Sequence, residues 1–348
     1  MIGCFVRAGR WCDGLTLSQL VDRPEERQLR KAQADLLAAP NVRLWLDRLE
    51  GVRGFHNSDN SCFENVAGKL GELGLRAGMT PLDERMARFA DWIAHRDRRG
   101  ERGMMATLNR TIACAGLLRL GYTKPKAIRE FALSRLDQLA RIASWGRYDI
   151  FWLQDPPDMP KAYRGRHRTV APEFTPDGIC GLPYVHDLYL FANLPKAWLT
   201  KPVQRKIDTV VRYTLADEYQ RLPDGYGYLR DEAAGNSRYY VLGWGVDLPG
   251  LRQMPPTGRR QAYFIQRLEL MSAFAPARKH PWWAAAMKLL ETYRTGEGRY
   301  TFPAQWLPEK PVGYWVTGSH MALEDNRRSG LARELESTFR YLRLRGKR

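Results

Sequence analysis

Three histidines of this sequence stand where a polar or aromatic stretch leads into an apolar helical pattern. His56 precedes NSDNSCFEN, His186 is followed directly by Asp187, and His320 precedes MALED. An imidazole beside a carboxylate can act as a general acid or base near neutral pH. We therefore predict His186 and His320 as catalytic residues, with a purely structural role as the alternative for each histidine.

Several carboxylates lie near the same positions. A carboxyl group buried in an aromatic cavity has a raised pKa and can donate a proton to an alkene or to a glycosidic oxygen. Ser61 and Glu64 have the spacing of a capping box, in which the glutamate closes the first turn of a helix. This assigns Glu64 a structural role and favours Asp59 and Asp247 as the proton donors. The remaining candidates are Asp187, Glu324 and Asp325.

Aromatic residues and arginines concentrate in two loop regions, at residues 226–244 and 299–315. Aromatic faces can stabilise a carbocation or stack on sugar rings, and loop packing explains them equally well. Arginines can hold a diphosphate or a carboxylate, or can simply be solvated. The predicted substrate-binding residues are Tyr239, Tyr240, Trp244, Tyr300, Trp306, Tyr314, Trp315, Arg238 and Arg299.

The elements that must position these residues are predicted to be helices. Apolar side chains recur at helical spacing between Leu82 and Ile93, and the pattern returns at residues 128–139, 203–215 and 331–342. Residues 262–274 are apolar on nearly all sides, which is typical of a helix buried among other helices. Extended alternating runs are nearly absent. We therefore predict an all-α fold without a substantial sheet.

The transition from a polar or glycine-rich turn into a small, apolar segment recurs along the chain, at residues 57–75, 109–122, 237–250 and 312–325. Helix pairs that repeat in this way must stack, either as an open solenoid or as a closed toroid. Long loops with glycine and tryptophan favour closure, with the loops at one rim; an irregular helical domain is the alternative. We predict an N-terminal helical extension at residues 1–40 and an α/α-toroid domain at residues 41–348.

The units SCFENVAGKLGELGL, DGYGYL with YYVLGWGV, and GEGRYTFPAQW with YWVTGSH resemble the repeats of α/α-toroid proteins. These include protein prenyltransferase β subunits and squalene-hopene-type terpene cyclases, and the C-terminal run resembles uncharacterised bacterial prenyltransferase-like proteins. The resemblance covers residues 40–345. The acid motif D-x-D-D, the metal motifs D-D-x-x-D and N-S-E, and the D-x-C zinc ligands are absent, since Asp59 lies three residues before Cys62. The resemblance thus implies a fold and almost no catalytic residues.

Composition limits the partners. The chain of 348 residues carries a net charge of +17, which favours anionic partners, including an anionic membrane surface. No zinc-finger or RNP-like signature accompanies the charge, so nucleic acid is not favoured. The five cysteines form no C-x-x-C pair and predict neither disulfides nor a cysteine zinc site. Without a long apolar run or a signal-peptide pattern, we expect a cytoplasmic protein.

Taken together, these patterns predict an isoprenoid-processing enzyme of the terpene cyclase type. It would bind an apolar chain with an anionic head in an aromatic-lined central cavity, start the reaction by protonation, and need neither a metal nor another cofactor. A carbohydrate-active enzyme on an (α/α) barrel and a non-catalytic helical-repeat binding protein are the alternatives. An apolar inner wall favours the isoprenoid enzyme. An open cleft with tryptophan and two opposed carboxylates favours the carbohydrate-active enzyme, and a solidly packed interior favours the non-catalytic binding protein.

Overall fold

The computed structural model describes residues 25–95, 103–231, 238–241, 248–296, 298–310, 312–323 and 329–346. These residues form thirteen α-helices, several 3₁₀ turns and one two-stranded hairpin. The all-α prediction is confirmed at this level. None of the described helices has the length and apolar character that crossing a membrane requires.

The helices, in chain order, are α1 Glu26–Ala38, α2 Pro40–Glu50, α3 Phe63–Glu72, α4 Thr80–His95, α5 Met104–Arg119, α6 Lys126–Ala143, α7 Val185–Ala192, α8 Lys201–Leu215, α9 Asp217–Gln220, α10 Arg260–Met271, α11 Ala275–Lys279, α12 Pro281–Glu291 and α13 Gly330–Gly346. The strands are β1 Tyr228–Asp231 and β2 Arg238–Val241. A 3₁₀ turn at Trp315–Thr317 packs against helices of the interior.

Four helices occupy the interior. Every residue of α3 is buried, and α7 is buried except at its last residue. Helix α3 packs on α5, α5 on α7, and α7 on α10, while the turn Trp315–Thr317 contacts both α10 and α3. Helix α10 is buried from Tyr263 to Met271, as its apolar character on all sides predicted. The inner helices therefore form a closed series of contacts.

Amphipathic helices cover this interior. Helix α2 packs on α3, α4 on α5 and α6, and α6 on α8. The predicted stripe of α4 is buried at Leu82, Met86, Phe89 and Ile93. Burying one such side chain contributes about 1.5–3 kcal/mol, so these stripes hold the outer helices on the inner ones.

The hairpin was not predicted. Strands β1 and β2 are antiparallel, with Leu229 opposite Tyr240 and Arg230 opposite Tyr239. The tyrosines of both strands and Val241 suit a pleated surface. Gly227, at φ 119°, lets the chain approach the backbone of Arg168 so closely that an added Cβ would lie 2.3 Å from the Arg168 carbonyl oxygen. The hairpin is thus anchored to the loop that precedes α7.

At the N-terminal side, α1 packs on α2 and buries Ala32 and Leu36. Residues 1–24 lie outside the described part of the chain. The division into an extension at residues 1–40 and a domain at residues 41–348 stays a prediction.

Candidate functional site

Two histidines and a glutamate meet in the interior, where the loop before α3 reaches the first turns of α3 and α7. His56 Nδ1 lies 2.5 Å from Glu64 Oε2. His186 Nε2 lies 3.3 Å from the same oxygen, and the side chains of His186 and Glu64 are only 3% and 2% exposed. Glu64 and His186 are each the second residue of their helix. We call His56, Glu64 and His186 the buried triad.

Asn65, the residue after Glu64, holds the surrounding loops together. Its side-chain amide donates to the carbonyl oxygens of Asn57, Asp59 and Gly313, at 3.3, 2.8 and 2.9 Å. Its carbonyl oxygen accepts a hydrogen bond from the Trp315 backbone N–H at 2.7 Å. One fully buried side chain therefore ties the loop that carries His56 to the loop that leads into the 3₁₀ turn Trp315–Thr317.

The carboxylate of Glu64 is an anion held between two imidazoles. Burial alone would raise the pKa of Glu64, but the charge of His186, together with the hydrogen bond and charge of His56, outweighs burial and lowers the pKa to about 2. Its second oxygen accepts from the Val316 backbone N–H at 3.3 Å. A carboxyl group with so low a pKa is no proton donor near neutral pH, so a proton held in the triad resides on an imidazole.

Two neighbours limit the chemistry of the triad. Burial and the charge of Glu64 raise the pKa of Cys62 to about 11, so this residue is a neutral thiol and not an activated nucleophile. Tyr314 stacks on the His56 ring with centroids 4.7 Å apart. Burial and Glu64 also raise the pKa of Tyr314, which keeps its phenol protonated. The triad thus offers imidazole nitrogens and a carboxylate, and neither Cys62 nor Tyr314 is an activated nucleophile beside them.

His186 is poorly satisfied where it stands. Its Nε2 is close to Glu64 without being aligned for a hydrogen bond, and its Nδ1, also buried, has no hydrogen-bond partner among the described residues. Beside it lies a cavity of about 20 Å³, whose lining includes Glu64, His186, Tyr189 and Trp315. A cavity of this size holds one water molecule or one ion.

Beyond this cavity the interior is ion-paired. The fully buried Arg340 donates to both oxygens of Glu269 at 3.0 Å and to Glu336 at 3.2 Å. Glu72 accepts from Arg340 at 3.3 Å and from Arg119 at 2.6 Å. A second cavity, of about 80 Å³, adjoins this network. Because the charges compensate one another, the network is a structural feature of the interior.

An open cleft of about 870 Å³ lies between the first half of α5, the middle of α6 and the loops before α7. Asp177, in its wall, adopts a left-handed backbone with φ 57°, a conformation that clusters at functional sites. We call it the arginine cleft, and its lining includes Thr107, Arg110, Phe131, Ser134, Arg135, Gln138, Trp152, Val170, Thr175, Asp177, Ile179 and Arg230.

The arginines of the cleft are held in place by other groups. Arg135 makes a buried, two-pronged pair with Asp187, at 2.8 and 2.9 Å. Arg230 pairs with Asp158 at 2.9 Å, and the Arg110 guanidinium lies 4.8 Å from the centre of a phenylalanine ring of the cleft. Because Asp187 follows His186 on α7, the Arg135 pair connects the wall of the cleft to the helix turn that carries the triad.

The predicted catalytic residues are not brought together. His186 lies in the triad, whereas the buried His320 lies 5.1 Å from the Trp45 ring and 3.6 Å from Glu309. Asp59 is exposed and its Oδ1 accepts from a backbone N–H at 2.9 Å, so it closes a turn and is not the cavity-enclosed carboxyl that we expected. Asp247 lies outside the described residues, as do Glu324 and Asp325.

The predicted substrate-binding aromatics are also dispersed. Tyr314 and Trp315 lie at the triad and its cavity. Tyr300 stacks on a tyrosine of α13 at 3.8 Å, and Trp306 packs 4.7 Å from a phenylalanine of α10, so both belong to the hydrophobic core. In the described part of the chain, these residues therefore do not form the single aromatic lining that we expected.

The remaining members of that set lie near the surface or outside the description. Tyr239, on the hairpin, donates to Asp158 at 2.8 Å, and Tyr240 is half-buried beside it. Arg299 pairs with Glu334 at 2.8 Å. Trp244 and the side chain of Arg238 are outside the described residues.

Sequence reasoning missed Glu64 and Asn65. The expected capping box is not formed: Cys62 is the N-cap residue of α3, no side chain caps the helix, and Glu64 turns inward to the histidines. The signal that could have found the triad was the pair of histidines, one in the loop before α3 and one at the start of α7. Arg110, Asp177 and Arg230 of the cleft carry no comparable signal.

No family model, no curated protein and no solved structure matches this chain.

Proposed function

We propose that the protein binds and processes a small anionic molecule with an apolar body, and that the arginine cleft is where this molecule is held. The observation that carries the proposal is the lining of the cleft, which combines three arginines, two of them also paired with aspartates outside the lining, with the faces of Phe131 and Trp152. A volume of about 870 Å³ falls in the usual range for small-molecule sites.

The chemistry of the lining selects the ligand class. Guanidinium groups match phosphate and carboxylate oxygens with two parallel hydrogen bonds, and each such charged bond contributes about 1.5–3 kcal/mol. Apolar surface covered by the aromatic wall adds roughly 25 cal/mol per Å². Prenyl diphosphates combine both features. They remain our preferred ligands, and the net charge of +17 favours their approach.

We further propose that the helices close into an α/α toroid. The series of contacts from α3 through α5, α7 and α10 to the turn Trp315–Thr317 and back to α3 supports this arrangement. Glu64 and His186 bring the N-terminal ends of α3 and α7 together, and Gly103, directly before α5, lines the arginine cleft. The N-terminal ends of three inner helices would then surround one mouth.

This proposal moves the ligand from the position expected from the sequence. The cavities of about 20 and 80 Å³ that lie beside the triad and the arginine–glutamate network are too small for an isoprenoid chain, so we assign this chain to the open cleft. The carbohydrate alternative requires two opposed carboxylates. Among the described residues that line the cleft, Asp177 is the one carboxylate, and this favours the anionic ligand.

Calorimetric titration of the pure protein with farnesyl and geranylgeranyl diphosphate, pyrophosphate and an oligosaccharide tests the proposal, followed by product analysis. Arg110→Met keeps the stem of the side chain and removes its charge. We expect it to weaken prenyl diphosphate binding by about 10-fold or more, from the loss of one charged hydrogen bond.

Arg212→Met is the matched control. Arg212 is exposed on α8 and lies 3.8 Å from Asp208 one helical turn away, so the same charge is lost outside the cleft. The affinity of the Arg212→Met variant for prenyl diphosphate should stay within about 2-fold of that of the unchanged protein, because exposed ion pairs contribute little and solvent-screened charges act weakly. Equal losses in both variants, or binding of the oligosaccharide alone, would show that the arginine cleft is not a site for prenyl diphosphates.

A further inference from the structure

We propose that the buried triad of His56, Glu64 and His186 is a binding site for a divalent transition-metal ion such as Zn²⁺. Each of the three residues offers one ligand atom, and these atoms all lie within 4.8 Å of one another. Among the described residues, this is the one group of histidine, cysteine, aspartate and glutamate side chains with such a geometry. The sequence had led us to expect no metal.

The distances within the triad suit an ion after a small adjustment. Ligand atoms that surround Zn²⁺ tetrahedrally, at about 2.1 Å from it, are about 3.4 Å apart. The separation of 3.3 Å between His186 Nε2 and Glu64 Oε2 already has this value. His56 Nδ1, at 2.5 Å from the same oxygen, would have to move away by about 1 Å, which replaces a direct hydrogen bond by two bonds to the ion.

His186 supplies an independent observation. Its ring is buried, and neither of its nitrogens has a hydrogen-bond partner among the described residues. A buried polar group in this state is unfavourable unless an ion or a water molecule satisfies it. The cavity of about 20 Å³, which is lined by His186 and Glu64 but not by His56, has room for a water molecule beside such an ion.

The ligand types select the kind of metal. Two imidazoles and one carboxylate suit zinc and other first-row divalent ions, whereas Mg²⁺ and Ca²⁺ prefer sites made of oxygen alone. Three protein ligands leave at least one coordination position for water or for a substrate, the arrangement of catalytic rather than structural zinc sites. The thiol of Cys62 donates to the Asn57 carbonyl oxygen at 3.2 Å and is not part of the set.

This inference does not depend on the proposed function, because no residue of the triad lines the arginine cleft. A failure of prenyl diphosphate binding would leave the metal site untouched, and the reverse also holds. The two sites are linked through α7, where His186 precedes the Asp187 that holds Arg135.

The test uses the tag-free full chain, stripped of metal, in equilibrium dialysis against Zn²⁺ and in titration with Co²⁺ followed by visible absorption. We expect one ion per chain and the d–d bands of Co²⁺ bound to nitrogen and oxygen ligands. Glu64→Gln and His186→Gln should each weaken binding by about 100-fold or more, since loss of a direct ligand exceeds the 10- to 100-fold effect of losing an outer partner.

Two controls distinguish the triad from adventitious binding. Asp59→Asn removes an exposed carboxylate from the same loop, and His320→Asn removes a buried histidine that also has a glutamate neighbour. Asparagine tolerates the left-handed backbone of His320, at φ 63°. Both variants should keep the affinity of the unchanged protein. Equal losses in the controls and in the triad variants would overturn the assignment.

X-ray absorption of the zinc-loaded, unsubstituted protein keeps the proposal testable if a triad variant does not fold. Two imidazoles and oxygen ligands, without sulfur, are the expected first shell. Sulfur ligands would place the ion at cysteines, and a shell of oxygens alone would place it at surface carboxylates. Either result, or the failure of the unsubstituted protein to retain any ion, would refute the metal site.

Discussion

Replacing Gly68 by alanine places a methyl group against the indole ring of Trp315. The added Cβ would lie 2.4 Å from both Cγ and Cδ2 of Trp315. The ring has little freedom to move, because Tyr189 lies against it with centroids 4.6 Å apart and the Arg119 guanidinium lies 4.7 Å from its centre. The strain must therefore spread into α3 and the turn Trp315–Thr317.

The magnitude follows from two opposing effects. Overpacking a core costs about 1–3 kcal/mol, while exchanging glycine for alanine inside a helix gains about 1 kcal/mol. Contacts as short as 2.4 Å to two ring atoms place the cost at the upper end of its range, so we expect a net loss of about 2 kcal/mol in the free energy of unfolding. Urea unfolding followed by circular dichroism and by tryptophan fluorescence would measure it.

Gly330→Ala is the matched control. Gly330 is the first residue of α13, and a Cβ built there meets no atom within 4 Å. The same substitution should therefore be neutral or slightly stabilising. Equal unfolding midpoints for Gly68→Ala and Gly330→Ala would refute the close packing of α3 against the 3₁₀ turn.

Two further substitutions probe the buried polar groups. Burial alone would raise the pKa of Glu72, but Arg119 and Arg340 outweigh burial and lower this pKa. The carboxylate therefore stabilises the fold at a pH above its unfolded pKa, and this contribution is lost progressively as the pH falls below about 4.5. The Glu72→Gln variant should be less stable at pH 7 and should lose less stability on acidification, which urea midpoints from pH 7 to pH 3 would show. Asn65→Ala removes the hydrogen bonds that join two loops and should lower the free energy of unfolding by about 3 kcal/mol. Asn193→Ala is the control and should lower it by about 1 kcal/mol, because the Asn193 amide makes one hydrogen bond of 2.7 Å, to a carbonyl oxygen of the adjoining helix. Similar losses in the two variants would contradict the role of Asn65.

The outer helices could be predicted because their signal is local. The spacing from Leu82 to Ile93 places five apolar residues on one face, and all of them except the half-buried Ala90 are buried. Helix α10 was also recognisable, because a helix that is apolar all round has to be enclosed. The hairpin was not recognisable, since each strand has only four residues and its pairing needs the loop at Arg168.

The triad could be predicted only in part, for a physical reason. The spacing of Ser61 and Glu64 is compatible both with a capping box and with an inward-facing carboxylate, and local sequence does not distinguish them. What decides is a long-range partner: His186 is brought to Glu64 by the packing of α7 and α3 against α5. The sequence singled out both His56 and His186, whereas it assigned the carboxylate between them to a capping box that the structure does not form.

The two polar clusters of the interior differ in how their charges are compensated, and this difference assigns their roles. Arg340 faces three glutamates, and its guanidinium donates as well to the Met321 carbonyl oxygen at 2.5 Å, so its charge and hydrogens are satisfied within the protein. Such a network fixes the relative positions of helices α3, α10 and α13 without needing a ligand.

The triad lacks this closure. Its one carboxylate faces two imidazoles, and His186 keeps a buried nitrogen without a hydrogen bond in the described part of the chain, beside a cavity of about 20 Å³. Leaving a buried imidazole in that state is unfavourable, and a further hydrogen-bonding side chain would have removed the cost. Gly68, which lines the same cavity, allows the Trp315 ring to pack directly against α3. An arrangement that retains both an unsatisfied ligand atom and the space next to it fits the binding of a third component better than it fits stability.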